Sequence, residues 1–141
     1  MRQQDIAYEI AQKAHEGQFR RDKITHYFDH VKDVARIVQM RGGNDEEIAT
    51  ALLHDTLEDT SLTKFDLLNA GINQSVVDAV IALTHLHEAE LYEQAILRAK
   101  ANPIARKVKI ADNLSNLSDA PTNKQIIKYS KSLQVLMEDG K

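Results

Sequence analysis

The residues best suited to chemistry lie together in positions 51–60, Ala-Leu-Leu-His-Asp-Thr-Leu-Glu-Asp-Thr. Read as one helix turning about 100° per residue, this stretch gathers His54, Asp55, Glu58 and Asp59 within an arc of roughly 140°, with Leu52, Leu53 and Leu57 outside it. Residues 42–63 hold six carboxylates and no Lys or Arg. Glu58 and Asp59 are expected near the helix end, where the macrodipole disfavours negative charge by about 0.3–1 kcal/mol each. A bound cation would relieve this repulsion; a solvated acidic face at a frayed helix end would also accommodate it.

Two further segments add donors. His30 falls on the inward side of a stripe formed by Tyr27, Val31, Val34, Ala35 and Val38, as a packed core histidine or as a ligand. Ile104, Val108, Asp112 and Asn116 form one i,i+4 row that begins apolar and ends in a carboxylate and an amide. A carboxylate on an inward row needs a salt bridge or a metal. Together, His30, His54, Asp55 and Asp112 supply two imidazoles and two carboxylates. That mixed set, with room for water, suits an octahedral divalent ion of the Mn²⁺ type better than closed tetrahedral zinc. Such an ion acidifies water and screens phosphate charge, leaving Glu58 and Asp59 to orient the water or move its proton. Just before the first donor lies a basic, flexible segment, Gln18-Phe19-Arg20-Arg21-Asp22-Lys23, a phosphate clamp or a solvated turn. His15, His26, His85 and His87 show no partner pattern and are expected to be structural or exposed.

The elements that must position these residues are helices. Ile6, Ile10 and Ala14 set a first stripe ending near Gly17, and Gly42-Gly43 stops the second. Asn44 with Glu47 predicts a capping box for the third helix, and Thr63 with Asp66 predicts a short fourth ending at Gly71. Asn73 is expected to cap a helix carrying Val76, Val77, Val80 and Ile81. Residues 88–101 read as helix, Pro103 suits the first turn of the next, and a last helix carries Ile126, Leu133 and Met137. The expected fold is all-α, with seven or eight helices in a single domain over 1–141.

Composition narrows the function classes. The 141 residues contain no cysteine, which excludes disulfides, thiol nucleophiles and Cys-type zinc sites. The net charge of -3 argues against a general nucleic-acid binder. No apolar run approaches the ~20 residues needed to span a bilayer, and MRQQDIAYEI lacks the apolar core of a secretory signal. A cytoplasmic location is expected, with no membrane or nucleic-acid partner. The sequence is compatible with a homo-oligomer.

These residues resemble a family. His30, His54-Asp55 and Asp112 look like the four ligands of the HD superfamily of metal-dependent phosphohydrolases, and most resemble the hydrolase domain of RelA/SpoT alarmone enzymes and their small stand-alone relatives. The matching stretches are Ala14–Arg21, Tyr27–His30, Ala51–Thr60 and Lys109–Asn116. The resemblance implies an all-α HD domain that uses Mn²⁺ to remove the 3′-pyrophosphate of guanosine tetra- or pentaphosphate. It gives Glu58 and Asp59 the role of the catalytic acidic pair. It sets Arg20 and Arg21 against substrate phosphate, and it makes Asn116 a substrate contact. Lys23, His26 and Val31 stand where the family usually has Gly, Pro and Pro; Asn113 and Ser115 stand where it often has Arg and His. These departures predict altered pocket walls around an intact metal centre. They keep two alternatives in play: hydrolysis of another nucleotide or phosphorylated cofactor, and a non-catalytic nucleotide-binding module.

Overall fold

The structure is a computed structural model that describes residues 2–85 and 90–138. All of its regular elements are helices: α1 (Gln3–Ala14), α2 (Tyr27–Met40), α3 (Asp45–Leu53), α4 (Thr56–Asp59), α5 (Lys64–Asn69), α6 (Gln74–Leu83), α7 (Tyr92–Ala101), α8 (Pro103–Leu117) and α9 (Asn123–Met137). Eight of these run six residues or more, and α4 is a single turn. No described helix is long and apolar enough to cross a membrane. Expected residue 88–101 helix content begins at Tyr92; residues 88 and 89, and His87, lie outside the described residues.

Local signals set most boundaries. Asn44 accepts the Glu47 N–H and Glu47 accepts the Asn44 N–H, each at 2.9 Å, closing the predicted capping box. Thr63 and Asp66 do the same for α5, and Pro103 occupies the first turn of α8. Gly43 is required for packing as well: a β carbon there would lie 2.4 Å from Val38 Cγ1, well inside contact distance. Asn73 precedes α6 as expected, but its side chain donates to Glu46 instead of capping.

The main core joins α1, α2, α3, α5, α6 and α8 through Ala7, Ala11, Val31, Val34, Leu53, Leu67, Val76, Val77, Val80, Val108 and Ala111. Small alanines on α1 and α3 let those helices approach closely. Asp45 ties them further by accepting the backbone N–H groups of Gln3 and Gln4, both at 2.9 Å, at the open N-terminus of α1. A smaller cluster of Ile96, Ile110 and Leu136 holds α9 against α7 and α8. The core therefore presents the inward faces of α2, the α3–α4 junction and α8 to one point.

Candidate metal centre

The first correction to the sequence reading lies at that point. Residues 51–60 do not form one continuous helix: α3 ends at Leu53 and α4 begins at Thr56. Side chains take over the last carbonyls of α3. His54 Nδ1 meets the Ala51 carbonyl at 2.6 Å and the Thr56 hydroxyl donates to the Leu53 carbonyl at 2.8 Å. Asp55 is thereby set at the break, facing α2 and α8, while Glu58 and Asp59 are exposed one turn on.

The break brings the four expected donors together. His30, His54 and Asp55 each offer a ligand atom within 4.8 Å of the others. Asp112 Oδ1 is 3.0 Å from His30 Nε2 and 3.7 Å from His54 Nε2. Both rings are oriented from behind. A carbonyl can only accept, so His54 Nδ1 carries the hydrogen it gives to Ala51. The Ser115 hydroxyl donates to Asp33 at 2.7 Å and accepts from His30 Nδ1 at 3.2 Å. Each ring therefore turns Nε2 toward the carboxylates. His54 Nε2 is buried with no hydrogen-bond partner, 3.0 Å from Asp55 Oδ2.

A ring lone pair pressed against carboxylate oxygens is unfavourable unless a cation or a proton lies between them. Burial opposes a charged His54, but Asp55 and Asp112 outweigh it and raise the ring's proton affinity well above the ordinary histidine value. Burial likewise opposes charge on Asp112, and Lys109, 3.3 Å away, leads the groups that hold its carboxyl well below the usual range. Asp55 is lowered against its burial by His54 and by Tyr27, whose hydroxyl donates to Oδ2 at 2.5 Å. Burial and the Asp55 charge push the Tyr27 phenol upward, so it remains a donor. Two nitrogen and two oxygen donors, converging with both Nε2 atoms turned toward the carboxylates, fit a divalent cation, which would stand in place of the proton that the carboxylates draw to His54.

A cavity of about 770 Å³ opens beside this cluster, lined by Arg20, Arg21, Tyr27, His30, Asp55, Glu58, Lys109, Asp112, Asn116 and Tyr129, among others. Asn116 Nδ2 donates to Asp112 at 3.4 Å. Arg20 pairs with Asp119 at 3.2 Å, while Arg21 makes no ion pair among the described residues. The loop that carries them is not loose. Asp22 accepts the N–H groups of Ile24 and Thr25 and the Thr25 hydroxyl, and these bonds, the hydroxyl first, lower its carboxyl to about 2. Lys23 adopts φ 62°, the left-handed conformation that glycine enters freely. Asp59 lines neither this cavity nor the smaller one behind it; burial and the Asp55 and Glu58 charges raise its carboxyl.

The HD domain sequence model matches residues 7–134. The chain belongs to the HD domain family. Among relatives of this HD protein, the guanosine-3′,5′-bis(diphosphate) 3′-pyrophosphohydrolase MESH1 of Xenopus tropicalis is 35% identical over 120 residues, covering 80% of this chain and 66% of the relative. The guanosine-3′,5′-bis(diphosphate) 3′-pyrophosphohydrolase of Aquifex aeolicus is 32% identical over 118 residues, covering 79% of this chain and 17% of the relative. The chain thus spans less than two thirds of either relative's length. A solved structure described as a metazoan ortholog of SpoT that hydrolyzes ppGpp superposes with a TM-score of 0.82 at 25% identity, covering 97% of this chain and 86% of that one.

Against the HD pattern, the five departures prove to lie off the pocket. Lys23, His26, Val31, Asn113 and Ser115 line neither cavity. Asn113 bonds Ser132 of α9, and Ser115 stands behind His30. The expectation of altered pocket walls is therefore not met at these positions. Sequence reading passed over several residues that the fold recruits. His15 takes the structural of its two expected places and is buried. Its Nδ1 meets Gln18 Oε1 at 2.8 Å, and Gln18 donates to the Asp59 carbonyl. His85 donates its backbone N–H to Glu58. Tyr27, Lys109 and Tyr129 face the cavity. Only Lys109, one turn from Asp112, carried a local signal.

Proposed function

We propose that this protein is a metal-dependent phosphohydrolase that removes the 3′-pyrophosphate of a guanosine 3′,5′-polyphosphate, releasing GDP or GTP and pyrophosphate. The reading places one HD-type domain over 1–141, acting on a small nucleotide in the cytoplasm. The observation that carries it is the convergence of His30, His54, Asp55 and Asp112 beside a cavity large enough for a nucleotide, with Arg20, Arg21 and Lys109 in its lining. The activities named for its relatives support the substrate class.

His30, His54, Asp55 and Asp112 would hold the cation, Mn²⁺ in our reading, which when bound neutralises phosphate charge and acidifies water. The chain's own groups do the rest. Tyr27 holds Asp55 in place, and the Ser115–Asp33 pair orients His30. Arg20 and Arg21 offer forked donors to phosphate oxygens, and Asn116 offers an amide. Lys109 balances Asp112 and adds positive charge where phosphate charge develops. Glu58, at the boundary of the cavity, accepts the proton of the attacking water, and Asp59, the other half of the acidic pair, lines neither cavity.

The test is metal analysis of the purified protein followed by product analysis. With Mn²⁺, guanosine 3′,5′-bis(diphosphate) should yield GDP and pyrophosphate, and chelation should abolish turnover. Brisk hydrolysis of a different nucleotide with none of the alarmone would replace the substrate. Tight nucleotide binding without any product would replace the enzyme reading with a binding module.

A further inference from the structure

Glu58 stands on α4, a single turn, and is exposed. The hydrogen bond that its carboxylate accepts among the described residues comes from the backbone N–H of His85, 2.7 Å from Oε1. That N–H belongs to the peptide unit joining Thr84 to His85. The carbonyl of the same unit, on Thr84, accepts from Arg98 Nη2 of α7 at 2.5 Å. A peptide unit is planar and rigid, so Arg98 and Glu58 hold opposite edges of one plane.

From this we infer that Arg98 is a positioning residue for Glu58, acting through the Thr84–His85 peptide. The inference rests on the proposed hydrolysis, in which Glu58 accepts the proton of the attacking water. Arg98 fixes the tilt of the plane, the plane aims its N–H at Oε1, and Oε2 is left to meet the water. A cation on the carbonyl oxygen also makes the N–H a stronger donor, because hydrogen bonds in series polarise one another.

The surroundings of Arg98 suit this role. The peptide unit lies just past the end of α6, where the last carbonyls lack helical partners. The Thr84 hydroxyl takes the Val80 carbonyl at 2.8 Å and the Thr84 N–H takes that of Ile81 at 3.0 Å. Arg98 Nε takes that of Ala82 at 3.2 Å, and Nη1 pairs with the buried Glu90 carboxylate. One guanidinium thus spans two carbonyls and a carboxylate with a fork of fixed geometry. Each of its three bonds restrains the direction of the others. A helix-capping role alone would stabilise the end of α6 without any effect that depends on Glu58, and this separates the two roles by experiment.

The test is a double-mutant cycle with an amide measurement beside it. Arg98→Met should lower kcat about tenfold by misplacing the base, with KM and Mn²⁺ affinity within about twofold of wild type. Glu58→Gln should lower kcat about a hundredfold or more. Adding Arg98→Met to Glu58→Gln should cost no more than about twofold further, since the two residues act as one unit. An undiminished tenfold loss in that background would make Arg98 a structural residue only and overturn the inference. In nuclear magnetic resonance spectra of the substrate-free protein, Arg98→Met should move the His85 amide proton upfield and speed its exchange with solvent. An unmoved His85 amide would also overturn the inference, and this reading holds whatever nucleotide the protein hydrolyses. Wild-type kcat in Glu58→Gln would instead remove the base assignment of the proposed function, and the inference with it. If Arg98→Met does not fold, Arg98→Lys takes its place in the cycle. A lysine keeps the charge without the fork, so kcat should fall about threefold with wild-type Glu58 and hold steady with Glu58→Gln. An equal fall in both would overturn the inference.

Discussion

The inner and outer walls of the large cavity are built on different terms. On the inner wall, each side chain that faces the donor cluster is itself held by a second group. Ala51 orients His54, Ser115 and Asp33 orient His30, Tyr27 fixes Asp55, and Lys109 fixes Asp112. On the outer wall, Arg20 has one ion pair, Arg21 has none among the described residues, and both stand on a loop between α1 and α2. The difference separates two demands. On the proposed function, bond-making, which needs groups held within a few tenths of an ångström, would fall where packing fixes rotamers. Recognition of a charged ligand, which tolerates looser geometry, would fall to the connection between α1 and α2.

The largest effect should come from breaking the inner wall at a donor. Asp55→Ala should lower kcat by at least about a thousandfold and strip the metal, since it removes a ligand and orphans Tyr27. Steady-state kinetics, metal analysis and far-ultraviolet circular dichroism should show lost activity with helicity retained. Wild-type turnover with metal present would end the comparison. One bond further back, Ser115→Ala should weaken metal affinity about 10–100-fold, the usual cost of losing such an orienting partner. A competitive chelator titration reads this directly. No change would mean that His30 needs no orientation.

The outer wall should respond in KM instead. Arg21→Ala should raise KM about tenfold, equivalent to about 1.4 kcal/mol, with kcat within twofold and a weaker dependence of KM on salt. A fall in kcat of the same size would show that Arg21 acts on the transition state and would erase the contrast. Two smaller effects concern stability. Lys23→Gly should stabilise the fold by about 0.5–1 kcal/mol by relieving a left-handed residue, visible as a raised Tm. Asp45→Asn should cost about 1 kcal/mol, as loss of a cap does. The hydrogen bonds from Gln3 and Gln4, working against burial, lower the Asp45 carboxyl. Its contribution should therefore be complete above the unfolded carboxylate pKa of about 3.9 and fade as pH falls through the lower folded value. Denaturant titrations of wild type and variant should converge in strong acid.

Sequence reading reached the features whose physics is local. The capping boxes at Asn44 and Thr63 close within three residues, and the donor types of His30, His54, Asp55 and Asp112 stand out against apolar stripes. It failed where the partner is distant. Nothing near Tyr27 announces a bond to Asp55, and Asn73 turns to Glu46 on another helix. The break after Leu53 was hidden for a related reason. Helical periodicity counts faces, whereas His54 and Thr56 end the helix by claiming its carbonyls. Ser115 read as a departure from the family pattern because its value lies in Asp33, on another helix.

The ion pair between Arg20 and Asp119 has a consequence for how a nucleotide would arrive. The guanidinium is already largely out of water, at 21% side-chain exposure, whereas the aspartate is 64% exposed. An incoming phosphate would therefore trade places with an anion rather than strip a hydration shell. The dehydration is settled during folding, and the displaced carboxylate returns readily to solvent. On the proposed function, Asp119 would act as a placeholder that holds the guanidinium in position until phosphate replaces it.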